Sequence, residues 1–149
     1  MTSGRLGMVI TVAVALQAAP AFAADTNLDY GFFKTRVEPV FLKKRPGHAR
    51  CAMCHVDANN AFKLQKLSEK KAAWAEQESR KNFALASALV TPGNPDTSHL
   101  LMYPLAPEAG GSTYHSGGRQ FATKNDPDWK IIAAWVNGAT LKAAPDDKK

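Results

Sequence analysis

From Asp29 onward, Tyr30, Phe33, Val37, Val40 and Phe41 recur at helical spacing. That period predicts a first helix running to about Lys44. Pro39 falls inside the pattern, has no amide hydrogen to give, and predicts a kink or a split. "RPGHAR" (45–50) reads as a turn, and the polar "VDANNAF" (56–62) as a connection. Ser68 followed by Glu69 predicts the start of a longer helix, with Trp74, Phe83, Leu85 and Leu89 as apolar positions up to about Val90. "TPGNPD" (91–96) is a breaker. Asp96 or Ser98 can then cap a short helix through "HLLMY", stopped by Pro104. Residues 105–125 hold four glycines and little apolar content, and read as one long irregular loop. Asp126-Pro127-Asp128 opens a last helix with an acidic N-cap, proline at the first helical position and a second carboxylate near the positive helix end. Trp129, Ile132, Trp135 and Val136 form its apolar stripe, and Asn137-Gly138 closes it. The tail "APDDKK" reads as frayed. No strand period or internal repeat appears, so the expected fold class is all-α.

At 149 residues the chain is long enough for one core. Its N-terminus changes the picture. Arg5 precedes "MVITVAVALQAA" (8–19), an apolar run too short to span a bilayer. Ala21-Phe22-Ala23 is a small-x-small cleavage site. Residues 1–23 thus read as a secretory signal peptide and 24–149 as the mature domain, which places the protein in the periplasm with no stable membrane insertion after cleavage. Loss of Arg5 takes the net charge from +6 to +5. A basic balance bears on partners rather than on fold. The basic residues come in short clusters such as Lys43-Lys44-Arg45, without interleaved aromatics, so no nucleic-acid partner is expected.

The two cysteines of the chain both lie in "CAMCH", Cys51 to His55. In an exported protein a bare Cys-x-x-Cys would be a redox disulfide or a staple. Thiol exchange, however, has no need of a histidine directly after the second cysteine. A zinc site needs four ligands, and this motif crowds three onto one turn with no second knuckle. Covalent haem attachment uses the whole set. The two thiols take the two vinyl groups, and His55 reaches the iron from the same side. One motif predicts one haem c. The sixth iron position then decides between carrier and ligand binder.

The candidates for that position are His48, His99, His115, Met53 and Met102. Met53 lies between the attaching cysteines and cannot cross to the other porphyrin face. His48, three residues before Cys51, reads as a surface or propionate-contacting residue. His99 reads as a solvated first-turn residue. Met102 sits in an apolar turn where Met is usually core filler. His115 stands in "GGSTYHSGG", between Gly110-Gly111 and Gly117-Gly118, where backbone can approach a bulky group. His115 is the expected sixth ligand and Met102 the alternative.

These residues carry a resemblance. An aromatic helix ending "VEPVFLKKRPGHARCAMCH", a central "NF…LVTPGNPDTSHLL…PLA", a "GG…HSGGRQF" loop and a closing "DPDWKIIAAWVNGA" are similar to the small exported monohaem cytochromes c of environmental bacteria. The likeness runs from about Phe32 to Ala139. It implies a cytochrome c-like fold, with terminal helices crossing and haem against the central helices, and it makes His115 the counterpart of that family's loop histidine. The familiar soluble cytochromes c instead carry a distal Met in a proline-rich loop before the last helix. Here that loop offers a histidine, and Met102 lies upstream.

The expectation is a single-haem electron carrier, not an enzyme. Cys51 and Cys54 attach the haem, and His55 and His115 ligate iron. Met102, Leu101 and Trp135 are expected to line the pocket, and Arg119 or a lysine to pair with a propionate. Its redox partner would have an acidic docking face. Two alternatives stand beside it: a haem protein with a displaceable sixth ligand, for gas sensing or peroxide reduction, and a haem subunit of a larger oxidoreductase.

Overall fold

A computed structural model of the chain describes residues 28–68 and 71–141. The expected signal peptide (1–23), Glu69 and the tail beyond Leu141 lie outside the described residues. The described chain is all-α, with no strand among these residues. No helix in them is long and apolar enough to cross a membrane.

The N-terminal helix runs through Tyr30–Phe32, Phe33–Val37 and Glu38–Leu42 without a break. Pro39 neither splits it nor ends it. The middle segment is wound as a π-helix, in which the Glu38 amide donates to the carbonyl of Phe33, five residues back. The wider turn relieves the carbonyl that the Pro39 ring would otherwise crowd. The helix is capped by Asp29, whose side chain accepts from the Phe32 amide. Its Phe33, Val37, Val40 and Phe41 are buried, as the period predicts.

The C-terminal helix, Pro127–Val136, also follows its sequence. Asp126 accepts from the amides of Asp128 at 2.9 Å and Trp129 at 3.3 Å, and Gly138 takes a φ of +85° just past the end. Its stripe Trp129, Ile132, Trp135 and Val136 is buried. The two terminal helices pack through aromatic rings. The Phe33 and Trp135 centroids are 5.2 Å apart, and Phe83 meets both from the central helix, edge-on, at 5.4 and 6.0 Å. The Trp135 indole N–H donates to the Asp29 carbonyl at 3.1 Å, which satisfies its polar end inside the core.

The central helix departs from expectation. It spans Glu76–Ser87, not Ser68 or Glu69 to Val90. Lys71 would have put positive charge at the positive helix end; Glu76 and Glu78 put carboxylates there instead. Trp74 precedes the helix and is pinned by its indole N–H, which donates to the Gln65 carbonyl at 2.8 Å. The face this helix buries carries Ser79, Asn82 and Ala86. Two of the three are polar because they meet a buried carboxylate. Ser79 Oγ donates to Glu38 Oε2 at 2.9 Å and Asn82 Nδ2 to Glu38 Oε1 at 3.4 Å.

The short helix is His99–Met102, with Ser98 rather than Asp96 at its N-cap position; Asp96 belongs to a preceding turn of 3₁₀ helix, Pro95–Thr97. The stretch 105–125 is more ordered than an irregular loop. It contains a 3₁₀ turn, Pro107–Ala109, and buries Leu105, Ala106, Gln120 and Phe121. The Ala106 amide donates to Phe121, Phe121 to Pro104, and Ser112 to Met102, so the loop folds back on its own ends. Gly111 makes the tightest approach: a Cβ there would sit 2.0 Å from the Leu105 carbonyl oxygen.

Candidate functional site

Cys51–His55 forms a short helix. At helical pitch, positions 51, 54 and 55 share one face. Cys51, Cys54 and His55 accordingly all line a single cavity, while Met53 is 68% exposed. The cavity measures about 400 Å³, within the usual range for ligand pockets. Its walls are mostly apolar, with Phe41, Phe62, Leu89, Leu100, Phe121 and Ile132 among them.

The cysteines are free thiols; Cys51 is half-buried and Cys54 exposed. Burial pushes the Cys51 thiol above its ordinary range. That is the opposite of the lowered thiol that disulfide exchange uses.

His55 is held by the chain that follows it. Its Nδ1 lies 2.9 Å from the Phe62 carbonyl oxygen, and the Leu64 amide donates back to the His55 carbonyl at 3.0 Å. A carbonyl only accepts, so Nδ1 carries the proton and Nε2 keeps its lone pair. Burial lowers the pKa of His55, with the Phe62 hydrogen bond opposing, which favours the neutral imidazole. A metal binds that form.

His115 repeats the arrangement from the other side. The Gly118 amide donates to the His115 carbonyl at 2.8 Å, which closes a tight turn over Ser116 and Gly117. Gly118 has a φ of +76° there. The His115 Nδ1 lies 2.7 Å from the Gly118 carbonyl oxygen, so the tautomer of the neutral ring that fits carries its proton on Nδ1. Gly117 lies against the ring: a Cβ would stand 3.1 Å from His115 Cε1. The His55 and His115 rings are 6.2 Å apart between centroids and inclined by 19°. Two metal–imidazole bonds of about 2.0–2.1 Å place ring centroids roughly 6 Å apart. Among the described residues no three His, Cys, Asp or Glu groups converge for a metal.

The other candidates fall elsewhere. Met102 is half-buried against the core and does not line the cavity; nor do Leu101 and Trp135, both fully buried in the core. Their helices turn Leu100 and Ile132 to the cavity instead. His99 is exposed at the cavity wall beside Tyr103, their rings 5.1 Å apart. His48 lines a separate, charged groove with Lys43 and Arg119, and Arg119 pairs with Glu108 at 3.2 Å.

Sequence reasoning did not single out Phe62 or Gln120, and it marked Gly118 only as half of a glycine pair beside His115. Phe62 and Gly118 act through backbone carbonyls, which no residue type announces. Gln120 is buried, and its Nε2 donates to the Gly117 carbonyl at 3.0 Å, bracing the His115 turn. No protein-family model, curated protein or solved structure matches the chain.

Proposed function

We propose that the cavity binds one haem c, attached through Cys51 and Cys54 with His55 and His115 on its iron, and that the protein is an exported electron carrier. When bound, the haem supplies a reversible one-electron iron couple. One observation carries the reading. Two near-parallel imidazoles with centroids 6.2 Å apart, each with Nδ1 on a backbone carbonyl, line an apolar cavity that both thiols also line. Hydrogen bonds of this kind fix tautomer and ring orientation in metal-ligating histidines.

The chain's own residues have distinct tasks. Cys51 and Cys54 anchor the group covalently. His55, tied to Phe62 through Nδ1, offers its Nε2 as the iron ligand from one wall of the cavity, and His115 offers its own from the glycine turn. The apolar walls hold few polar groups that must reorganise when the charge changes. A bis-histidine site favours a lower potential than a His/Met site. The fold we infer is cytochrome c-like, with the terminal helices packed on each other and the cavity against the segments between them. The compartment we infer is the periplasm.

The test is the absorption and low-temperature EPR spectrum of the ferric, haem-loaded protein, with His115→Ala and Met102→Ala. The wild type should be low-spin without a sulfur-to-iron charge-transfer band, and only His115→Ala should turn high-spin. A sulfur band lost in Met102→Ala would overturn the ligand assignment. A high-spin wild type would move the reading to gas binding or peroxide reduction.

A further inference from the structure

Arg45 stands six residues before Cys51, in the turn that leads into the cysteine motif. The His48 amide donates to its carbonyl at 3.1 Å, so its backbone belongs to that turn. Its side chain reaches far from it. Nη1 donates to the Gln120 carbonyl at 3.0 Å and to Asp126 Oδ2 at 2.8 Å; Nη2 donates to Asp126 Oδ1 at 3.0 Å and also to Asp128. The guanidinium carbon lies 4.7 Å over the Phe121 ring, a wall of the cavity. The side chain is only 14% exposed. Lys43, bonded to Asp128 at 3.1 Å, is the other side chain of this segment that reaches the C-terminal helix, and it makes no bond to the loop.

The contacts continue to His115. Gln120, whose carbonyl Arg45 holds, braces the Gly117 carbonyl with its own Nε2, and Gly117 packs on the His115 ring. Arg45 thus connects the segment that carries Cys51, Cys54 and His55 with the loop that carries His115. Only a planar fork with several donors serves a carbonyl, two carboxylates and a ring face together; a lysine cannot.

We propose that Arg45 is a positioning residue that holds the His115 loop closed over the cavity and so sets how readily the sixth ligand gives way. This rests on the reading of His115 as an iron ligand. Without the fork, the loop keeps its glycine turn but loses its tie to the cysteine segment, and an outside ligand meets an open position more often.

The experiment is cyanide binding to the ferric, haem-loaded protein by stopped flow, with amide hydrogen exchange over residues 112–121. The variants are Arg45→Lys, Arg45→Met, His115→Ala and Val37→Ala. Val37 is fully buried in the N-terminal helix, does not line the cavity, and serves as a destabilised control. Wild type should bind slowly and His115→Ala fast. Arg45→Lys should bind at least tenfold faster than wild type and Arg45→Met faster still, with quicker exchange in the loop. Val37→Ala should stay within twofold of wild type. Arg45 variants at the wild-type rate, or a Val37→Ala variant accelerated as much as they are, would overturn the proposal while leaving His115 as ligand. Equal rates in wild type and His115→Ala would remove the ligand assignment, and the role of Arg45 with it.

Discussion

Glu38 is the residue whose place the sequence conceals. In "VEPVF" it sits where an amphipathic helix should meet solvent, yet it is 3% exposed. Burial raises its carboxyl above the ordinary range, against the lowering effect of the Ser79 and Asn82 hydrogen bonds and the nearby Lys34; Glu76, facing it from the central helix, raises it further. A raised carboxyl holds its proton in the folded state at pH values where the unfolded chain has lost it. Stability from this group therefore falls as pH rises from the usual carboxyl range through the raised value. Glu38→Gln keeps the shape and removes the charge. Its stability relative to wild type should improve as pH rises from the usual carboxyl range and level off above the raised value, measured by thermal unfolding; a difference independent of pH would refute the buried charge. The same residue ties the fold to the site, because Asn82 Oδ1 accepts from the Gln65 amide at 2.8 Å, close to the Phe62 carbonyl that orients His55.

At the scale of the element, the start of the C-terminal helix combines two effects in one carboxylate. Asp126 caps the helix and pairs with Arg45 at 2.8 Å. The Arg45 hydrogen bond holds its carboxyl below the ordinary range. The stability it brings is present above the unfolded carboxyl pKa and is lost as pH falls through the depressed value, the reverse of Glu38. Asp126→Asn retains the cap, since Asn caps as well as Asp, and loses the charge. Its deficit should be clear at pH 7 and shrink toward pH 3 in urea unfolding. Asp126→Ala should cost about 1 kcal/mol more than Asp126→Asn at either pH, because the cap is gone as well. A cost that did not separate the two variants would mean the cap contributes nothing here. The central helix teaches a different lesson. Of its expected apolar positions only Phe83 and Leu85 fall within it, and neither its start nor its buried face of Ser79, Asn82 and Ala86 was legible. Trp74 fits the period of a helix it does not join, because its indole N–H finds the Gln65 carbonyl in an extended segment.

For the whole molecule, the net charge of +6 governs encounter rather than fold. Arg50 at the cavity wall adds positive charge beside the cysteine motif. On the proposed electron-transfer reading, the haem-loaded protein should react with an anionic oxidant such as ferricyanide more slowly as salt rises from about 10 mM to 150 mM, as the screening length falls from roughly 30 to 8 Å. A cationic cobalt complex should show the opposite slope in stopped-flow traces. Equal slopes for the two would show that the surface around the cavity does not share the sign of the whole.

Local rules let the sequence alone determine the two terminal helices, the cap at Asp126, the glycine stop at Gly138 and the shared face of Cys51, Cys54 and His55. Each depends on residues within about one turn of one another, where period, capping and backbone freedom decide. His115 was legible as a candidate from its bracketing glycines. That its ring lies 6.2 Å from that of His55, sixty residues away, was decided only by tertiary structure. So were the buried Glu38 and the reach of Arg45. All three depend on partners from distant segments: Ser79 and Asn82 for Glu38, Asp126, Asp128 and the Gln120 carbonyl for Arg45, and the His55 ring for His115; period and capping act within about one turn and do not say which distant segments the fold brings together.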